Sequence, residues 1–87
     1  MSETIETAIF ARLAALADGK SVSPEEVARA VDAEGWRRLL PQVRATAVGL
    51  ARQGRLVITR HNRPADPDSF KGIYRLRLPI AEGQEDG

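Results

Sequence analysis

The chain has 87 residues, 43% of them apolar, with thirteen cations, twelve anions and no cysteine. That bounds one soluble-type domain with a modest core. It also excludes disulfides, thiolate metal sites and cysteine nucleophiles, and a lone histidine, His61, argues against an all-protein zinc site. The near-neutral total hides a sorted charge. Residues 1–34 carry seven anions and three cations, residues 35–78 carry ten cations and only Asp66 and Asp68 as anions, and residues 79–87 add three anions. A segment of net +8 between two acidic ends points to a polyanionic partner.

In chain order, Ile5, Ile9, Leu13 and Leu16 recur at helical spacing, widened by Phe10, Ala14 and Ala17, and predict a helix over about 4–17. Ser2 or Thr4 is placed to cap it and Asp18-Gly19 to end it. Residues 20–22 suit a very short strand. Ser23-Pro24-Glu25-Glu26 then unites a serine cap, a first-turn proline and a glutamate three residues after the cap. Val22 and Val27 fit a hydrophobic staple around it. The second helix is expected over 24–31, broken at Gly35, with Trp36, Leu39 and Leu40 forming a helical turn that plugs the core.

Pro41 cannot donate a backbone N–H, so it is expected to open a third helix ending at Gly54. Val43, Ala47 and Leu50 form its inward stripe. Gln42, Ala45, Gly49 and Arg52 form its outward side, with Arg44 and Gln53 on the flanks. A strand over 56–60 and a second over 73–78, where Tyr74, Leu76 and Leu78 alternate with Arg75 and Arg77, should pair. Residues 61–72, rich in Pro, Asp and Asn, are long for a hairpin and are expected to project as an arm. Residues 81–87 read as an acidic tail after one domain over 1–80.

Helix, short strand, helix, helix, strand, long loop, strand is the order of a winged helix. The expected fold class is therefore α+β, a three-helix bundle with a small antiparallel sheet and a long wing loop. Two stretches add to this reading. Trp36-Arg37-Arg38-Leu39-Leu40-Pro41-Gln42-Val43-Arg44, followed by Leu50, Gly54 and Arg55-Leu56-Val57-Ile58-Thr59, resembles a small bacterial family of unknown function with a winged-helix-like fold. Asp66-Pro67 and Arg75-Leu76-Arg77-Leu78-Pro79 are similar to the same family, and the likeness spans about residues 5–79. Lys71-Gly72-Ile73 departs from the Gly-Pro expected before the last strand. The resemblance implies a fold and brings no established activity.

Winged helices that bind DNA insert the third helix in the major groove and touch the backbone or minor groove with the wing. On that mapping Gln42, Ala45, Gly49 and Arg52 face the groove. Arg37, Arg38, Arg44 and Arg55 lie near its ends, and Arg60, Arg63 and Lys71 ride on the wing. The nucleic-acid-binding set is thus Arg37, Arg38, Gln42, Arg44, Arg52, Arg55, Arg60, Arg63 and Lys71. Arginine forks bridge phosphate oxygens or the edge of guanine, while Ala45 and Gly49 read no bases, so weak sequence discrimination is expected. Arginine can equally be the solvated outside of a small domain, and Arg75 and Arg77 fit the solvent face of an edge strand. Trp36 is read as core rather than a stacking platform, and Tyr74 likewise. Phe70 either folds back on the sheet or anchors a partner.

Asp66-Pro67-Asp68 reads as turn chemistry rather than, with His61, a metal or acid–base site. No nucleophile–base pair, glycine-rich phosphate loop or zinc spacing occurs, so neither an enzyme nor a cofactor is expected. No apolar run approaches the roughly 20 residues that span a bilayer, and no secretion signal opens the chain, so the cytoplasm is the expected setting. The competing function is a non-catalytic protein–protein interaction module using Val48, Ala45 and Phe70, and a homodimer through the first helix or the wing fits either reading.

Overall fold

The computed structural model describes residues 2–16, 20–61 and 63–79. The elements in chain order are α1 (Ser2–Ala14), β1 (Ser21–Val22), α2 (Pro24–Val31), α3 (Trp36–Arg52), β2 (Val57–Arg60), β3 (Arg63–Pro64) and β4 (Arg75–Arg77). The fold is α+β: three helices packed with a four-stranded antiparallel sheet of order β1-β4-β2-β3. The Ser2 or Thr4 cap, the Asp18-Gly19 exit and the acidic tail fall outside the described residues and side chains.

In α1 the expected stripe buries Ile5, Ile9 and Leu13. The helix stops earlier than its periodicity suggests. Ala15 and Leu16 donate to Arg12 and Leu13, three residues back, and this tightening leaves Leu16 39% exposed. The capping box of α2 forms as expected. Ser23 Oγ accepts from the Glu26 N–H at 3.1 Å, and Glu26 Oε2 accepts from the Ser23 N–H at 3.0 Å. Those bonds hold the Glu26 carboxyl below its usual range, assisted by the Arg75 charge.

Asp32, rather than Gly35, ends α2. Its Oδ1 accepts from the N–H groups of Glu34 and Gly35 at 3.1 and 3.0 Å, a local turn that competes with further helix. Gly35 caps the start of α3, where an added side chain would have to displace the ends of two neighbouring ones. A Cβ there would lie 2.6 Å from Arg38 Nη2 and 2.7 Å from Asp32 Oδ2.

Pro41 does not open α3; it lies inside it, five residues after Trp36. The residue it would have donated to, Arg37, lies in the exposed first turn, where a missing i→i−4 bond is least costly. The separate turn expected at 36–40 is therefore the beginning of one 17-residue helix. That helix ends in a Schellman motif: Arg55 N–H donates to Leu50 O and Gly54 N–H to Ala51 O, both at 3.0 Å, with Gly54 at φ 78°.

In the sheet, Val22, Leu76 and Ile58 stand side by side across β1, β4 and β2, and all three are buried against the helices. Val43, Ala47 and Leu50 of α3, with Val27 and Ala28 of α2, complete the core. Each large side chain so buried contributes about 1.5–3 kcal/mol before chain entropy is subtracted. Strand β4 lies in the interior of the sheet, which corrects the edge-strand reading of Arg75 and Arg77. The edges are β1 and β3, two residues each, and Pro64 on β3 blunts that side.

The expected projecting arm is not there. Strand β2 pairs antiparallel with β3, with Arg60 opposite Arg63 and His61 at φ 53°. The chain then turns at 66–69, where Asp66 Oδ1 accepts from Asp68 N–H at 2.9 Å, and folds back so that Phe70 is 5% exposed. Its ring meets Tyr74 edge-on, centroids 4.9 Å apart. Phe70 is thus a core residue and not an exposed anchor. Burial pushes the Tyr74 hydroxyl upward from its ordinary range; the Glu25 charge adds to that and the Arg44 charge opposes it.

Candidate nucleic-acid interface

Helix α3 turns Gln42, Ala45 and Arg52 to solvent, with Gly49 half-exposed between them. Nothing lies within 4 Å of where a Gly49 Cβ would stand, so the middle of this face is open. Arg37 and Arg38 lie in the first turn and Arg52 in the last, about 22 Å along the axis from Arg37 at 1.5 Å per residue. The outward face therefore carries arginines at both ends, Arg52 being paired with Asp68, and small residues between them, where Glu6 of α1 shares a shallow concavity with Ala45 and Gly49.

The start of α3 gathers more positive charge than the linear sequence suggests. The guanidinium carbons of Arg37 and of Arg29, the latter from the last turn of α2, each lie 4.5 Å from the centroid of the half-buried Trp36 ring. Arg38 follows on the exposed surface, and its charge assists the Gly35 and Glu34 N–H groups in lowering the Asp32 carboxyl. Among the described residues, Arg29, Arg37 and Arg38 form no ion pair within 4 Å. The first turn of α3 contains no acid, and Gly35 offers no side-chain cap. Cations at the positive end of a helix are electrostatically unfavourable, and the Asp32 carboxylate offsets part of the Arg38 charge.

The other expected contacts divide differently. Three of them fasten the segment between β3 and β4. Arg44 Nη2 donates to Phe70 O at 2.8 Å, its guanidinium 3.9 Å from the Phe70 centroid; Arg60 Nε donates to Ile73 O at 3.0 Å; and Arg52 is paired with Asp68. Arg55 pairs with Glu6 at 3.0 Å and lies over Phe10. Arg63 and Lys71 are exposed and make no ion pair among the described residues. Arg75 reaches Ser21 Oγ at 2.7 Å and Glu26 at 3.7 Å, tying β4 to β1 and α2.

The nine residues expected to contact nucleic acid thus do not form one continuous surface. Arg37, Arg38 and Gln42 share the first half of α3. Arg44, Arg52 and Arg60 surround the returning loop, Arg55 faces α1, and Arg63 and Lys71 are exposed without an ion pair among the described residues. Sequence reasoning missed Arg29, which belongs to the acidic half of the chain. Only the convergence of α2 and α3 on Trp36 brings it into the cluster.

Among the described residues no group of three or more His, Asp or Glu could hold a metal ion, and no helix is long and apolar enough to cross a membrane. Fold and surface together define a small α+β domain with a cationic corner at the head of its longest helix. Comparison with known families extends this. The chain belongs to the family described as "Protein of unknown function (DUF3253)", whose model matches residues 2–79. A search of curated proteins finds no match.

Proposed function

We propose that this chain is a winged-helix domain of the cytoplasm that binds duplex DNA without catalysis and with weak sequence discrimination. The observation that carries the reading is the corner at the start of α3. Arg29 and Arg37, with no ion pair among the described residues, stack on Trp36 there beside the exposed Arg38, and an open face of small residues leads away from it. Arg29, Arg37 and Arg38 would hold phosphates on one side of the groove and Arg52 on the other, with Ala45 and Gly49 allowing close approach. Arg63 on the hairpin and Lys71 on the connection between β3 and β4 would touch the backbone. Arg52 stays available because its exposed pair with Asp68 is of a kind worth only about 0–1 kcal/mol, which a phosphate can replace.

The test is titration of the protein onto a short labelled duplex at low and physiological salt. Affinity should fall steeply, by a slope of about 0.9 for each phosphate neutralised. Arg37→Glu/Arg38→Glu should abolish binding and leave the fold intact, and Arg55→Ala should have little effect. No detectable binding at low salt would refute the reading. The second reading, a protein–protein interaction module, draws on a different surface, since Phe70 is buried; its observation is the apolar groove beside Ile73.

A further inference from the structure

Opposite charges and an unburied aliphatic side chain meet on a surface that the DNA reading does not use. The start of α2, the early turns of α3 and the residues before β4 enclose a groove of about 510 Å³. Pro24, Leu40, Pro41 and Tyr74 form its apolar walls, and Glu25 and Arg44 are its charged members. On its lip stands Ile73, 87% exposed. The backbone beneath Ile73 is fixed, because Gly72 turns at φ 81° and Arg60 Nε holds the Ile73 carbonyl at 3.0 Å. A held, protruding aliphatic side chain loses little freedom on docking.

We infer that this surface joins two copies of the chain across a two-fold axis. A two-fold interface brings the same patch from both partners, so the patch must complement itself. This one does so in shape and in charge: it carries a knob beside a groove, and a carboxylate beside a guanidinium. Ile73 of each copy enters the groove over Leu40, Pro41 and Tyr74 of the other, and Glu25 of each faces the other's Arg44. Glu25 forms no ion pair among the described residues, and Arg44 commits only part of its five-donor fork to Phe70 O. A polyanion gains nothing from an apolar groove bearing a carboxylate.

The decisive measurement is sedimentation equilibrium of the full chain without nucleic acid, from micromolar to about 1 mM, the weak end of specific association. A reversible dimer is expected, with dilution-dependent NMR shifts centred on Leu40, Ile73 and Tyr74. Ile73→Asp should raise the dissociation constant about tenfold or more, as losing one buried aliphatic contact implies. Glu25→Lys, which sets like charges together, should weaken the dimer as well. Leu16→Asp, a change at another exposed aliphatic position, should not. Unaltered far-UV circular dichroism shows that each variant is folded. A chain monomeric throughout the range, or a dimer indifferent to Ile73→Asp, overturns the inference. Because no nucleic acid is present, either result leaves the DNA reading to its own test.

Discussion

Replacing Phe70 with alanine tests whether the long connection between β3 and β4 belongs to the core. The ring is almost wholly buried, meets Tyr74 edge-on at 4.9 Å, and carries the Arg44 guanidinium 3.9 Å from its centroid. Truncating a buried Phe to Ala costs about 3–5 kcal/mol through lost burial and the cavity left behind. A domain of 87 residues, at about 0.05–0.15 kcal/mol per residue, has roughly 4–13 kcal/mol in total. The lower figure, about 3 kcal/mol, is the better expectation, because a surface loop can partly collapse into the space. It corresponds to a fall in Tm of roughly 12–24 °C for a domain of this size. Urea unfolding followed by far-UV circular dichroism, with the slope m unchanged, is the assay. Phe70→Leu, which keeps most of the volume, should cost about 1 kcal/mol. If Phe70→Ala costs less than about 1 kcal/mol, the ring does not stabilise the core and the docked loop described above is wrong.

Gly54→Ala should destabilise by about 1 kcal/mol, since φ 78° penalises any Cβ although the space is open, whereas Gly49→Ala should stabilise by about 0.5–1 kcal/mol within the helix. Thermal melts of the two variants against the parent separate the signs, and the Gly49→Ala protein should also bind duplex more weakly if the helix approaches DNA along that face. Ser23→Ala should cost about 1 kcal/mol by removing half of the capping box, read by urea unfolding. Because the folded Glu26 pKa lies below its ordinary value of 4.5, the associated stability is complete above that value and disappears as pH falls through the lowered one. The penalty of Glu26→Gln should therefore be present at pH 7 and shrink on acidification, in melts recorded from pH 7 to pH 3. Arg52→Ala should change stability by less than about 1 kcal/mol because its pair with Asp68 is exposed, and an unfolding curve displaced further would show that the pair matters to the fold.

Much of this architecture could be read from local signals. The capping box at Ser23, the stripes of α1 and α3 and the Gly54 terminus all depend on residues within one or two turns of each other. What escaped the sequence depends on distant partners. Pro41 suggested a helix start, and only the position of Gly35 against Asp32 and Arg38 reveals that the helix had already begun. The loop resembled an arm because the groups that hold it, Arg44, Arg52 and Arg60, lie on α3 and β2. Arg75 seemed to belong to an edge because nothing local announces that residues 21–22 pair with 76–77. The site was legible to the same degree. Segregated charge singled out residues 35–78 as a whole, but it could not distinguish arginines that support the fold from those left to solvent, nor place Arg29 beside Trp36.

The arrangement around Trp36 gives the protein a built-in optical reporter. It is the only tryptophan in the chain, and the quenching and polarity felt by an indole change when a cation stacked on it is drawn away. An anion that recruits Arg29 or Arg37 therefore alters the intrinsic emission without any attached dye. One that settles at Arg63 or Lys71 leaves the spectrum as it was, so a single emission scan localises the event on the molecule.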